Sequence, residues 1–382
     1  MSGQTVLILG GGVGGVVAAN TLRRLLPRRH RIVVVDREPD FALAASFLWV
    51  MSGARRPAQV ARPLAGLARR GIEVVRGQVE SVDPVRRTAV VAGRTLEADH
   101  LVIALGAEFA PEAVPGLADH GHTFCTLPGA TRLHDELDAV RAGRILVLTA
   151  APAYKCPAAP YEAALLIEAG LRARGVRAAT TLELHSAEPG PMGVAGPEAS
   201  AAVRAMVEGK GIGYRPEHQV AGVGPGTVSF TDGEASPFDL LVYVPPMRPP
   251  AALAGTGLVD ESGWVRVDRH TLETKFPGVY AVGDVTMIPL AMGKPLPRAG
   301  VFAHAQAEVV ARRIAAVLRG REAGARFDGH GACFIETGDG QAGYGSGNFY
   351  AEPRPNVRLR SPSRLWHAGK VLFEQQVLRM WL

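Results

Sequence analysis

VLILGGGVGGVVAANTLRRLL, residues 6–26, runs from a short apolar strand through a glycine turn into an alanine-rich helical stretch. Gly10, Gly12 and Gly15 fall at G-x-G-x-x-G spacing, with Gly14 between the last two. In that pattern the first glycine permits a tight turn, the second lets backbone approach a pyrophosphate, and the third lets the helix pack closely on the strand. The helix start then offers free N–H groups and a positive dipole end to the phosphates. A second strand, RIVVVD, ends at Asp36. An acid roughly 20 residues past the loop binds ribose hydroxyls and disfavours a 2′-phosphate. Strand, helix and acid in register predict a dinucleotide site where a bare glycine pattern would be a weak sign.

The same strand, loop and helix rhythm returns without the glycines. Residues 145–167 read ILVLTAAPAYKCPAAPYEAALLI, with Cys156 where a second nucleotide loop would carry glycine. Apolar strands alternating with alanine- and leucine-rich helical segments predict an α/β chain with parallel, doubly wound sheets. At 382 residues the chain is long enough for a large core and exceeds one typical domain of roughly 100–200 residues. Hydrophobic residues at 47%, with 45 glycines and 28 prolines, exclude a fibrous or disordered chain. There is no tandem repeat and no low-complexity tract.

Residues 274–287, TKFPGVYAVGDVTM, resemble the second FAD motif of the two-dinucleotide-fold flavoproteins. The resemblance implies that Asp284, after Gly283, contacts the ribityl and phosphate region. HLVIALGA, residues 100–107, resembles the strand and turn that closes the first FAD half, with Ala104 and Gly106 at the cofactor. FAD is therefore expected at the N-terminal site rather than NAD. Two Rossmann-like domains are implied: an FAD-binding domain over residues 1–110 and 252–318, and a second over 111–251 that carries Cys125 and Cys156. Residues 319–382 then form a C-terminal region facing the flavin.

The chain passes from MSGQ straight into its first strand, so no secretory leader is read and synthesis in the cytoplasm is expected. No uncharged apolar run reaches the roughly 18–20 residues of a spanning helix. The formal net charge is +6, and residues 351–382 hold six basic residues against Glu352 and Glu374. Among them stand Trp366, Leu372, Phe373, Val377, Leu378, Met380, Trp381 and Leu382. Such a mixture suits an anionic lipid surface, and peripheral membrane association is the expectation. The competing reading is a solvated basic face beside a helix docked in the core. Nothing resembles a nucleic-acid motif. His304 and His330 lie near motifs without metal-ligand spacing, and no metal is expected. Whether the chain forms a homo-oligomer is left open.

Three cysteines, Cys125, Cys156 and Cys333, are too few and too odd in number for a disulfide framework. A free cysteine is often a small buried hydrophobe, a reading that suits Cys125 in HTFCTLPGA as well as any other. Cys156 differs, because a loop at the carboxyl end of a parallel strand is where this fold places reactive groups. A helix start and Lys155 beside it both lower a thiol's pKa. Glu162, six residues on, is placed to accept a proton nearby, although a surface acid is the plainer reading. Cys333 sits in the glycine-dense stretch 329–353, where backbone can approach a ligand closely.

Taken together, GGGVGG, SFLWVMSGARRP (46–57), AYKCPAAPYE, AVGDVT, GKPLPRAGVFAHAQAEVVARRIA (293–315), ACFIETG (332–338) and WHAGKVLFEQQVLRMW (366–381) resemble the sulfide:quinone oxidoreductases and the related flavocytochrome c sulfide dehydrogenase flavoprotein. The resemblance implies that Cys156 and Cys333 flank the isoalloxazine as a disulfide or polysulfide bridge, with Cys125 a less essential third cysteine. It implies attack of hydrosulfide on that bridge by thiol exchange, electrons entering FAD, release of zero-valent sulfur or polysulfide, and a quinone accepting electrons from the other face. Lys370 resembles a family lysine near the flavin pyrimidine end and the quinone, with Phe334 on the same side. Lys294 and Arg298, just past the FAD aspartate, are weaker site expectations, a surface loop being the alternative.

Some features depart from the family. FALAASFLW (41–49) has no cysteine, so FAD is not expected to be tethered there. The missing leader favours a quinone over a cytochrome acceptor, and a chain ending at Leu382 weakens the membrane reading. The other enzyme readings are an NAD(P)H-dependent flavin oxidoreductase resembling type 2 NADH dehydrogenases, which needs glycines where APAYKC stands, and a sulfide dehydrogenase with a cytochrome acceptor. A flavin-containing binding subunit with inert cysteines is the non-enzymatic one.

Overall fold

The computed structural model describes residues 3–382. Strand β1 (Thr5–Leu9) turns through the glycines into helix α1 (Val13–Leu25), and the chain returns along β2 (Arg31–Asp36). β1 is the middle of five parallel strands. Glu73–Arg76 extends the sheet beyond β2, while His100–Ile103 and the much later Val279–Ala281 complete the other side. The apolar runs of the four strands other than Glu73–Arg76 are buried on both faces, as a parallel sheet covered by helices requires. α1 packs on Gly300–Val317 to close one face.

The turn explains why glycine is needed here. Gly10 has φ +110, and a Cβ on it would lie 2.2 Å from the Ala104 carbonyl oxygen. A Cβ on Gly15 would lie 1.8 Å from the carbonyl oxygen of Gly10, so helix and strand are in contact at their backbones.

A second parallel sheet has β3 (Gly143–Thr149) at its centre, flanked by Thr180–Ser186 and Leu240–Val244, with Gly213–Arg215 at one edge. A loop leads from β3 to helix α2 (Ala159–Ala173). The core around α2 also takes in Phe47, Leu48, Val50 and Met51 from the distant helix Phe47–Met51, and Ile335 from the C-terminal part. That part is an antiparallel meander of β4 (His330–Gly338), Gln341–Asn348 and Asn356–Ser363, followed by helix α3 (Arg364–Met380). The Ser363 hydroxyl caps α3 by accepting from the Trp366 N–H at 3.4 Å.

α3 divides the tail residues expected at a lipid surface. Val377 and Leu378 are buried, and Trp381 packs edge-on against Phe41 while its carbonyl accepts from the Asn20 amide at 2.8 Å. Leu365, Leu372, Phe373 and Met380 stay exposed. The tail is thus both docked and partly apolar outside, because only one stripe of a helix can face a core. Lys370, expected near the surface or the cofactor, lies on the buried stripe.

Gly15→Ala is expected to cost about 1–3 kcal/mol by overpacking, since backbone cannot step aside as a side chain can. Urea denaturation of the variant should show a lower midpoint, and an unchanged midpoint would contradict the close-packed turn.

Candidate active site

Cys156 sits in the loop between β3 and α2 with φ +57, a left-handed backbone that non-glycine residues rarely adopt. Two backbone hydrogen bonds hold it there. Its N–H donates to the Arg298 carbonyl oxygen at 2.8 Å, and its own carbonyl accepts from the Ala159 N–H at 2.9 Å. Cys333 arrives from β4. Both cysteines line one mainly apolar cavity of about 320 Å³, together with Met192, Lys294, Arg298 and Phe302. All three cysteines are free thiols.

The two thiols have unlike environments. Cys156 is held below the ordinary thiol value, first by the influence of the Cys333 thiol, with Lys370 assisting and burial and Glu162 opposing. Cys333, whose Sγ donates to the Phe334 carbonyl at 3.4 Å, is pushed well above it by the influence of Cys156, by burial and by the Glu162 charge. Cys125 is pushed up to about 12, chiefly by burial, and does not line the cavity. Lys155 was expected to activate Cys156, but its ammonium turns to Asp284 at 3.0 Å, and the ion pair raises its pKa.

Glu162 and Lys370, expected on different sides of the site, meet. Both are buried, and Lys370 Nζ lies 2.9 Å from Glu162 Oε1. The same oxygen accepts the Glu336 N–H at 2.9 Å. The Glu336 carboxylate is 4.0 Å from Lys370 and 3.0 Å from His367 Nδ1. Burial lowers the Lys370 pKa, but Glu162 and Glu336 raise it more, so the ammonium stays charged. The Trp49 ring lies 4.9 Å from that ammonium and 5.8 Å from the His367 ring. Phe334 is on this side of β4, beside Tyr344 at 5.2 Å, and away from the cavity.

Arg298 was read as a weak site residue, a surface loop being the alternative, yet it is buried. Its Nε donates to the Asp284 carbonyl at 2.9 Å, and its guanidinium stacks 3.8 Å from the Trp264 ring. Lys294 lies on the cavity wall rather than at the glycine turn. Glu336, His367 and Trp49 were not singled out from sequence. The period of two in ACFIETG and the i, i+3 spacing of His367 and Lys370 are the signals that point to them.

The N-terminal turn fits a dinucleotide. α1 starts without a capping side chain or an acid in its first turn, so its N–H groups are available to phosphate. A Cβ at Gly12 or Gly106 would meet nothing within 4 Å, whereas one at Gly14 would lie 3.0 Å from Val282. Space therefore opens above Gly12 and Gly106 and is closed at Gly14. Asp36 ends β2 and accepts from the Gly11 N–H at 2.5 Å. Gly283, with φ +77, donates its N–H to Gln306 at 2.7 Å and leads to buried Asp284. Arg298 Nη2 is a buried donor without a partner among the described residues, which fits a polar cofactor edge beside Asp284. His304 and His330 each face a single carboxylate. His218, Asp232 and Glu234 do have ligand atoms within 4.8 Å of one another, outside the cavity lining.

At neutral pH a lowered thiol reacts and a raised one does not. Iodoacetamide should therefore modify Cys156 first and spare Cys125, as read by peptide mass after limited labelling. Labelling of Cys125 ahead of Cys156 would overturn this order.

The family model for pyridine nucleotide-disulphide oxidoreductases matches residues 4–308. A sulfide-quinone reductase of Aquifex aeolicus (strain VF5) is 28% identical, over 98% of this chain and 90% of its own. The mitochondrial sulfide:quinone oxidoreductase of Mus musculus is 23% identical, over 91% of this chain and 79% of its own. The X-ray structure of the sulfide:quinone oxidoreductase from Aquifex aeolicus superposes with a TM-score of 0.89 at 24% identity, covering 99% of this chain and 91% of that one. Among the described residues no helix is long and apolar enough to cross a membrane. The chain belongs to the pyridine nucleotide-disulphide oxidoreductase family and is an FAD-dependent oxidoreductase.

Proposed function

We propose that the protein oxidises sulfide to zero-valent sulfur or polysulfide and delivers the electrons to a quinone, with Cys156 and Cys333 as its redox pair. The observation that carries this reading is one mainly apolar cavity lined by both cysteines. The near full-length likeness to sulfide-quinone reductases supports the substrates.

The chemistry starts from the pair linked through sulfur. Hydrosulfide attacks one sulfur and breaks the link, giving a persulfide on one cysteine and a thiolate on the other. The cavity environment favours that charge on Cys156. A further hydrosulfide attacks the persulfide and releases a sulfur chain, leaving two thiols. Re-forming the link removes two electrons and two protons. FAD, when bound, would supply the two-electron redox chemistry between the thiols and the quinone. Apolar walls keep water from the reactive sulfur, while Lys294 and Arg298 attract the hydrosulfide anion. Gly10, Gly12, Gly15 and Asp36 would hold the adenosine and pyrophosphate parts, and Asp284 the ribityl side. Cys125, outside the lining, has a supporting role.

Anaerobic titration tests the reading: sulfide alone should bleach the flavin, and bleaching by NADH alone would replace it with the NAD(P)H-dependent alternative. Cys156→Ser and Cys333→Ser should each lower sulfide-dependent quinone reduction on the order of 10⁴-fold or more, as loss of one member of a catalytic unit does. Full activity in either variant would sink the two-cysteine mechanism.

Peripheral membrane attachment belongs to the same proposal. Leu365, Leu372, Phe373 and Met380 are exposed on α3 beside Arg364 and Arg379, a combination that suits an anionic interface. The protein should sediment with phosphatidylglycerol vesicles, and Leu372→Glu with Phe373→Glu should release it. Equal sedimentation of the double variant would refute this surface.

A further inference from the structure

We propose that Glu188, positioned by Tyr154, is the acid–base residue of the cysteine cavity and takes the proton from hydrogen sulfide. The proposal deepens the sulfide-oxidising reading and rests on it.

Parallel register brings Glu188 to the cavity. Thr149 ends β3 and pairs with Ser186, which ends the neighbouring strand Thr180–Ser186. The loops that follow therefore leave the sheet side by side at its carboxyl edge, where this fold gathers ligands. One loop carries Tyr154 and Cys156, and the other carries Glu188. The Ala187 N–H donates to the Thr149 hydroxyl at 3.1 Å and the Glu188 N–H to the Ser186 hydroxyl at 3.2 Å, while the Glu188 carbonyl accepts from the Glu217 N–H at 3.1 Å. The Tyr154 hydroxyl closes the gap between the loops by donating to Glu188 Oε2 at 2.6 Å. Oε1 is left without a hydrogen-bond partner among the described residues. Tyr154, Cys156, Glu188 and Cys333 all line the same cavity, and Glu188 is the carboxylate among its described lining residues.

A mainly apolar cavity admits neutral hydrogen sulfide more readily than its anion, because burying a charge costs far more than burying a neutral group. The species that attacks the sulfur link is nonetheless hydrosulfide, so a base is needed inside. Hydrogen sulfide and Glu188–COO⁻ give hydrosulfide and Glu188–COOH: one S–H bond breaks and one O–H bond forms. Hydrosulfide, its charge balanced by Lys294 and Arg298 on the cavity wall, then attacks the link between Cys156 and Cys333. Glu188 is half-buried, so its acid returns the proton to water and the carboxylate is restored. Both protonation states find partners. Once protonated, Glu188 donates to the Tyr154 oxygen, whose own hydrogen turns to the Pro157 carbonyl at 3.4 Å.

Burial raises the Glu188 pKa, with the Tyr154 hydrogen bond and the Lys294 charge opposing. A raised carboxylate lies nearer the working pH, where a general base is most effective. The other titratable groups facing it are Tyr161 on α2 and Tyr214 on the strand Gly213–Arg215. Burial raises all three tyrosines, so they stay neutral and Lys294 is the charge that faces Glu188.

Glu188→Gln keeps an acceptor for Tyr154 but is no base. In stopped-flow reduction of the FAD holoenzyme by sulfide, the variant should be slower by about 10²-fold on the acid side, where the substrate is hydrogen sulfide. It should approach the wild-type rate on the alkaline side, where hydrosulfide arrives already deprotonated, and that recovery also shows that the variant is folded. Tyr154→Phe removes a bond that favours the charged carboxylate, so the Glu188 pKa rises and the acid limb of the rate profile should move to higher pH. A further measurement needs no sulfide: the ratio of iodoacetate to iodoacetamide rates at Cys156 in the holoenzyme with its cysteines reduced. The Glu188 charge repels the anionic reagent, so above neutral pH Glu188→Gln should raise that ratio on the order of fivefold. Equal reduction rates in wild type and Glu188→Gln at every pH, a loss that persists undiminished on the alkaline side, or an unchanged alkylation ratio would each overturn the proposal and leave the sulfide-oxidising reading standing. Should sulfide fail to reduce the wild-type holoenzyme at any pH, that reading falls and the hydrogen sulfide step falls with it.

Discussion

The Lys370 ammonium, held between the Glu162 and Glu336 carboxylates, is the contact on which the rest of the site depends. It joins three elements from different parts of the chain: α2, β4 and α3. Burying three charged groups is expensive, and removing one partner of a buried pair typically costs about 3–5 kcal/mol because the other is left uncompensated. The arrangement therefore tolerates little sliding of one element past another. The Glu336 N–H donating to Glu162 fixes the height of β4 against the start of α2. Cys333, three residues before Glu336, and Cys156, six before Glu162, are thereby carried to the same cavity.

Arg298 performs the matching task on the opposite wall. Its carbonyl holds the Cys156 N–H, and its side chain holds the backbone of Asp284. The left-handed conformation of Cys156 is a strain of order 1–3 kcal/mol that persists only where surroundings dictate it. Here they do: one carbonyl fixes the amide and the first turn of α2 fixes the carbonyl. The cysteine loop and the FAD-motif aspartate are thus one mechanical unit, although 128 positions separate them in the chain. Lys155 completes that unit through its ion pair with Asp284 and so is spent on positioning rather than on the neighbouring thiol.

What the sequence made legible follows from steric rules that act over short spans. The glycines at 10 and 15 announce a turn because only the absence of a Cβ permits it: a Cβ on either would overlap a backbone carbonyl oxygen, whereas one at Gly12 would meet only the space left for a ligand. Asp36 at a strand end is similarly local. Cys156 stood out because it breaks a pattern, and Cys333 because it lies in a stretch resembling known enzymes. Single charged residues gave no such signal. Lys370, Arg298 and Glu162 each look like solvated side chains until partners arrive from elsewhere, and the Glu162–Lys370 separation of 208 positions is beyond any local pattern. The C-terminal tail was legible by half: its amphipathic character was plain, but which stripe faces the core depends on Phe41, Asn20 and His304, distant in the chain.

The alternation of β4 explains how ionic and sulfur chemistry are kept apart within one strand's thickness. Successive side chains of a strand point to opposite faces. Cys333 and Ile335 face the cavity, whereas Phe334 and Glu336 face α3. A single strand is therefore wall to an apolar chamber on one side and a member of a charged cluster on the other. Low dielectric on the cavity side strengthens the influence of Lys370 and Glu162 on the thiols, so the cluster acts on the sulfurs from outside the cavity. The opposed shifts of Cys156 and Cys333 are the outcome: burial, the Lys370 ammonium and the Glu162 carboxylate act on two chemically identical side chains in unlike surroundings.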